Sequence, residues 1–188
     1  MDLSGKFLIA MPGMGDPRFA HSVVLICAHS EAGAMGVIVN KPGLVHDGPE
    51  GFAELLEQLD IPAGPGVQRV PVQYGGPVEP GRGFVLHSGE WFHREGTMWL
   101  GADLAMTSTR DILVDLGQGQ GPSRALLALG YAGWGPGQLE AEILENGWLT
   151  ADADTELVFQ PGTDGKWDAA LRALGIDPVT LSAAAGHA

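Results

Sequence analysis

Basic residues are scarce in this chain. Lys and Arg number 10 against 23 Asp and Glu, for a formal net charge of −13 at pH 7 with histidine neutral. Nucleic-acid binders draw most of their affinity from neutralising phosphates, so a chain this acidic starts with a long-range penalty. Its basic residues are scattered singly, with no Lys/Arg cluster, and no stretch resembles a helix-turn-helix backed by a basic surface. Direct DNA or RNA binding is therefore not expected, and the acidic excess reads first as solubility.

Cysteine is almost absent: Cys27 is the only one. A single thiol cannot close an intramolecular disulfide, so a reducing cytoplasm is the simplest address. Long hydrophobic runs are missing too. "SVVLICA" and "ALLALGYAGW" reach at most about half of the roughly 20 residues that a transmembrane helix needs, which argues against a membrane protein. The opening "MDLSGKFLIAMPGMGDP" has one early Lys, no basic cluster and Pro12 ending a short run, a poor signal peptide. No H-x-x-x-H, C-x-x-C or carboxylate triplet with metal-ligand spacing occurs. No metal or other cofactor is expected on that count.

What is present is a chain of 188 residues, 45% apolar, enough to bury a real core in a single domain spanning 1–188. "KFLIAM", "HSVVLICAH" and "MGVIVNKP" read as strands, the last two as a hairpin about "SEAGA". The second run is apolar throughout, as for an interior strand covered on both faces. "GFAELLEQLDIP" places Phe52, Leu55, Leu56 and Leu59 at helical spacing. "VPVQYGGPV" and "RGFVLHSG" read as strands, and "TMWLGADLAMT" as one strand bent at Gly101. "STRD" fits a capping box with Ser108 as N-cap of a helix carrying Ile112, Leu113 and Leu116 inward. "SRALLALGYAGW" reads as a central strand, "PGQLEAEILEN" as a helix with Glu142 and Glu145 on its polar side, and "ELVF" as a strand. "DGKWDAALRALG" reads as a helix capped by Asp164. A mainly β first half followed by alternating helices and strands, with no linker between them, makes one α+β unit.

Cys27 and His29 are i and i+2 on one strand, which predicts that both side chains leave the same face. Thiolate–imidazole chemistry needs contact of about 3 Å and a nearby cation or helix N-terminus, which the apolar flanks do not offer. Cys27 therefore reads as a small buried hydrophobe, and His29 as a residue leaving the core beside a loop. The candidate ligand-binding residues are Asp16, His29, Asn40, Gly75, Gly76 and His87. His29 and His87 converge if their strands pair, and the double glycine offers either a turn where side chains do not fit or a backbone-amide anion site. Asn40 is also placed to hydrogen-bond backbone where the chain turns. Gln138, Glu142 and Glu145, beside Trp134 and Trp148, form either a solvated helix face or a docking surface for a protein partner. No catalytic residue is assigned. Two function classes stay open. One is a cytosolic regulatory module that binds a protein partner or small ligand; the other is a small-molecule hydrolase or anion-binding enzyme using His29 with Asp16 or His87.

Longer phrases carry a resemblance. "GKFLIAMPGMGDPRFAHSVVLICAHSEAGAMGVIVNKP", "YGGPVEPGRGFVLH", "GYAGWGPGQLEAEILENGWLT" and "WDAALRALGID" occur in this order, and by them the chain resembles the YqgE/AlgH family of bacterial proteins over essentially its whole length. His21 stands where the family pattern usually has an arginine, and residues 88–100 match poorly, as for a variable surface connection. The resemblance implies a bent, bifurcated mixed β-sheet curled into a partial barrel with flanking helices. It implies no established biochemical activity. Its pseudomonad branch is linked to the regulation of alginate production and carries the label of transcriptional regulator, which points to regulation and does not require DNA contact.

Overall fold

The structure is a computed structural model that describes residues 1–93 and 95–186; Arg94, within the poorly matching 88–100 segment, lies outside them. Three strands open the chain: β1 (Lys6–Ala10), β2 (Val23–Ser30) and β3 (Gly33–Ile38). They form an antiparallel meander in which β2 and β3 make the hairpin read from the sequence. Helix α1 (Gly51–Gln58) leads to the short β4 (Val72–Tyr74) and the long β5 (Val78–His87), followed by β6 (Thr97–Trp99) and β7 (Ala105–Thr107). Helix α2 (Arg110–Gly117) precedes the central strand β8 (Ala125–Trp134). The remainder is α3 (Gln138–Leu144), β9 (Trp148–Asp152), α4 (Thr155–Phe159), α5 (Lys166–Ala173) and α6 (Pro178–Ala185).

Among the described residues the strands join in the order β6-β7-β5-β8-β3-β2-β1-β9, with β4 beside β8. The sheet divides on β8. Its first half, through Leu129, pairs with β5 and in parallel with β4, whereas Ala132–Trp134 pairs with β3. Gly130 at the division has φ +80, and a Cβ there would lie 2.3 Å from the Gly76 carbonyl oxygen, so only glycine lets the two backbones approach this closely. The fold is the α+β curled sheet that the family resemblance implies, a half-barrel with six helices among the described residues.

Curling gives the sheet one inner and two outer apolar surfaces. Phe7, Ile9, Leu25, Cys27, Phe84, Leu126, Val158 and Leu171 belong to the inner cluster. The alternate residues Leu8, Val24, Ile26 and Ile38 pack outward with Leu139 of α3. Farther along, Phe52, Leu56, Ile112 and Leu116 of α1 and α2 cover Val85 and Leu127. This two-sided burial is why β2 carries no polar alternation.

Several local expectations are corrected. "TMWLGADLAMT" is two strands, β6 and β7, paired as a hairpin whose turn is closed by the Leu100 N–H donating to the Leu104 carbonyl at 2.8 Å. "ELVF" is helix α4, started by Asp154, whose carboxylate accepts from the Glu156 amide. The neighbouring strand is β9, one element earlier. A run of three apolar residues suits either state, and here the Asp154 cap and the inward burial of Leu157 and Val158 select the helix. The N-cap of α2 is Thr109, not Ser108, and it makes no side-chain cap. The N-cap of α5 is Gly165 at φ +82, not Asp164.

Candidate functional site

The site is built from three segments brought together at one edge of the sheet. The first is the β1–β2 loop, folded on itself by turns in which Phe19 N–H donates to Asp16 C=O and Ser22 N–H to Phe19 C=O. Asp16 also accepts from the Arg18 amide at 3.0 Å and forms an ion pair with its guanidinium at 2.6 Å. The Arg18 hydrogen bonds hold the Asp16 carboxyl below its ordinary range, and the guanidinium lies over the Phe19 ring, 5.9 Å from its centroid. The second and third segments are the end of β8 with α3, and the turn into β9. They deliver Trp134 and Trp148, whose rings meet edge to face at 6.1 Å while Phe19 closes on both.

Glu142 organises this cluster. Its Oε2 accepts from the indole N–H groups of Trp134 at 3.0 Å and Trp148 at 2.8 Å, and its Oε1 accepts from the Gln138 amide at 2.9 Å. Gln138 in turn accepts from the Gly135 amide. Glu142 is thus half-buried and fully engaged, not on the solvated side of α3, whereas Glu145 is exposed. Around these groups lies a cleft of about 630 Å³ that brings Asp16 together with Gln138, Glu142 and Glu145.

The remaining candidates stand elsewhere. Strand β2 carries a bulge between Ile26 and Ala28, and the extra residue reverses the alternation. Cys27 therefore faces the inner cluster, while His29 pairs with Ala34, which packs on the outer one. The shared face expected for the two is corrected. Burial pushes the Cys27 thiol up to about 12. His29 accepts at Nδ1 from the Leu3 amide at 3.2 Å, which leaves Nε2–H to donate to Glu140 at 2.7 Å. It ties the N-terminal segment and α3 to β2.

His87 does not converge with His29. The two align with opposite ends of β8, His87 with Ala125 and His29, through Ala34, with Trp134. His87 is buried, donates from Nδ1 to the Ser88 carbonyl at 2.9 Å and accepts from Thr107 at 2.8 Å; desolvation lowers its pKa. Asn40 bridges backbone, accepting from Val23 N–H and donating to the His21 carbonyl, each at 2.8 Å. Gly75 spends its amide on the Leu129 carbonyl, and a Cβ at Gly76 would lie 2.1 Å from the Tyr131 carbonyl carbon. This double glycine is a close crossing of backbones. Among the described residues no group of three or more His, Cys, Asp or Glu is placed to hold a metal ion, and no helix is long and apolar enough to cross a membrane.

Comparison with known proteins decides the family. The AlgH-like family model matches residues 7–179. This chain belongs to the AlgH-like family. Similar proteins include UPF0301 proteins of Paracoccus denitrificans (strain Pd 1222), 60% identical over 190 residues and covering 100% of this chain and 97% of that one, and of Ruegeria pomeroyi (strain ATCC 700808 / DSM 15171 / DSS-3), 57% identical over 189 residues and covering 100% of both. The solution structure of the AlgH protein from Pseudomonas aeruginosa is similar at a TM-score of 0.77 and 39% identity, covering 97% of this AlgH-like chain and 94% of that one. A Corynebacterium diphtheriae crystal structure follows at a TM-score of 0.70 and 25% identity, covering 96% of this chain and 90% of that one.

Neither the convergence of Phe19 with two tryptophans nor the Glu142 anchor was read from the sequence. The available signal was local: Trp134 and Trp148 bracket α3, and Glu142 lies between them.

Proposed function

We propose that this AlgH-like chain is a binding protein that engages a partner protein in the α3 cleft and acts in regulation in the cytoplasm, without direct DNA contact. The observation that carries this reading is the cleft itself. It is roomy, of about 630 Å³, and its deep polar atoms are spent on one another through Glu142, Trp134, Trp148 and Gln138. The Trp134, Trp148 and Gln138 donors of its walls are already engaged by Glu142, and Asp16 is paired with Arg18, an arrangement that suits recognition better than catalysis. Aromatic anchors surrounded by a polar rim are the usual anatomy of a protein-docking site. The rim is acidic at Glu145, and with a net charge of −13 the chain would steer a basic partner surface towards it.

The test is co-purification from extract of the source cells using tagged wild type and Glu145→Lys. Glu145 is exposed and its side chain makes none of the described hydrogen bonds or ion pairs, while its amide donates to the Ala141 carbonyl whatever the side chain, so its reversal spares the fold. A partner held by wild type, lost in Glu145→Lys and retained in a control reversal at exposed Glu31 supports the reading. A partner that binds all three proteins equally would sink it.

A further inference from the structure

The sheet ends at β6, and this edge is open. Among the described residues no strand pairs with the side of β6 that faces away from β7. The Leu100 N–H donates to the Leu104 carbonyl, and the Ser108 N–H to the Gly96 carbonyl. Hydrogen-bonded pairs recur at every second residue of an antiparallel ladder, so Met98 and Met106, paired midway between these two, exchange the intervening bonds. Thr97 and Trp99 therefore aim their N–H and C=O groups away from β7, off the edge of the sheet. Neither takes part in a described backbone bond outside the ladder. Sheet edges are ordinarily blunted by shortness, a lysine, a proline or a bulge. At three residues β6 is short, yet it carries no lysine, no proline and no break in register.

The side chains along this edge are apolar and open to solvent on both faces. Met98 is 41% exposed, on the face where Met106 joins the inner cluster. On the opposite face Trp99 and Phe92 are each 49% exposed, and their rings stack with centroids 5.6 Å apart. Gly89 backs this pair, since a Cβ there would lie 3.0 Å from the Trp99 ring. The indole is held in place before a partner arrives, which lowers the entropic cost of using it as an anchor.

Charge selects the occupant. Exposed Glu95 precedes β6, and exposed Asp103 follows it in the hairpin turn. Arg124 is shared between Asp103 and Glu156, so that cluster keeps an excess negative charge. A second copy of this chain would bring a further net charge of −13 towards these acids, whereas a basic segment meets them favourably.

We propose that β6 is a strand-addition site for an extended segment of a partner protein, apolar at its centre and carrying Lys or Arg at both ends. Thr97 and Trp99 supply two donors and two acceptors to the added strand, while Met98 and the Trp99–Phe92 stack receive its central side chains. In strand order β6 lies at the end opposite β9, and Trp148 of β9 lines the α3 cleft. The two surfaces are separate, so neither assignment rests on the other.

The probe is a capped peptide, Val-Leu-Val with two Lys or Arg residues on each side, added to the full chain and followed by amide hydrogen exchange. In the free chain Met98 and Leu100 are protected by the ladder, and Thr97 and Trp99 exchange freely. Saturation with the peptide protects Thr97 and Trp99. A peptide with Glu in place of the basic residues binds about tenfold more weakly, and one N-methylated throughout its centre gives no protection. Met98→Lys, at a position already open to solvent, keeps the wild-type melting temperature and binds the basic peptide about tenfold more weakly. The comparison of the three peptides on wild type is decisive even where this variant does not fold. Absence of saturable binding, binding that leaves Thr97 and Trp99 unprotected, equal binding of the acidic peptide, or undiminished binding by folded Met98→Lys would each overturn the proposal. So would self-association of the chain that protects the same two amides.

Discussion

The indole N–H of Trp148 donates to the carboxylate of Glu142 at 2.8 Å, and the same oxygen accepts from Trp134 at 3.0 Å. Both indoles are buried, so this one side chain satisfies two donors that would otherwise have lost water without replacement. Leaving a buried donor unpaired costs about 1–3 kcal/mol. Glu142→Leu is therefore expected to destabilise the chain by about 2–5 kcal/mol, and Glu142→Gln, which keeps an acceptor oxygen, by less. Urea unfolding followed by tryptophan fluorescence measures both; equal and negligible losses would show that the carboxylate does not anchor the cleft.

Cys27 packs among Leu25, Phe84 and Leu126 with its thiol pushed up to about 12. It should resist a bulky disulfide reagent in the native chain and react fully in denaturant, because the thiolate is the reactive form. Cys27→Ala should cost about 1–2 kcal/mol, as a small core deletion does. Rapid labelling of the native protein would place the sulfur near solvent and contradict the core assignment.

Lys166 is fully buried, donating to the carbonyls of Val39 at 3.0 Å and Val158 at 2.8 Å. Desolvation lowers its pKa from 10.5 to about 8. Between those values the unfolded chain binds the proton and the folded chain does not, so stability rises with pH in this window. The cost of the buried charge is complete below about pH 8 and gone above about pH 10.5, at most about 3 kcal/mol. Unfolding midpoints of wild type and Lys166→Met, compared from pH 7 to 10, should change in favour of wild type as pH increases. A pH-independent difference would contradict the linkage.

Gly76 has φ +154 and no room for a methyl group beside Tyr131. Gly76→Ala should cost more than about 3 kcal/mol through strain and overpacking together, and thermal unfolding measures it. A near-native melting temperature would reopen the double glycine as an accessible amide site.

Much of the architecture was legible from local pattern. The apolar runs of β2 and β8, the glycine-containing hairpin between β2 and β3, and the spacing of Phe52, Leu56, Ile112 and Leu116 are signals contained within each segment. "ELVF" was not legible, because three apolar residues after a glutamate fit a strand or one helical turn equally well. The choice was made by the Asp154 cap and by the inner cluster waiting for Leu157 and Val158. The candidate site was legible only in pieces: Asp16, Gln138, Glu142 and Glu145 line one cleft, but nothing local states that the β1–β2 loop reaches α3.

By itself, the sequence determined which segments are buried, that Cys27 belongs to the interior, and that the surface is acidic, since each depends on composition and short-range periodicity. Only the tertiary structure decided the partners of the polar groups. A single bulge between Ile26 and Ala28 separated His29 from Cys27 and turned it to Glu140, 111 residues away. The curl of the sheet brought Phe19, Trp134 and Trp148 around Glu142. Hydrogen-bond geometry is set to tenths of an ångström by register and curvature, and those are properties of the assembled sheet that no one segment carries.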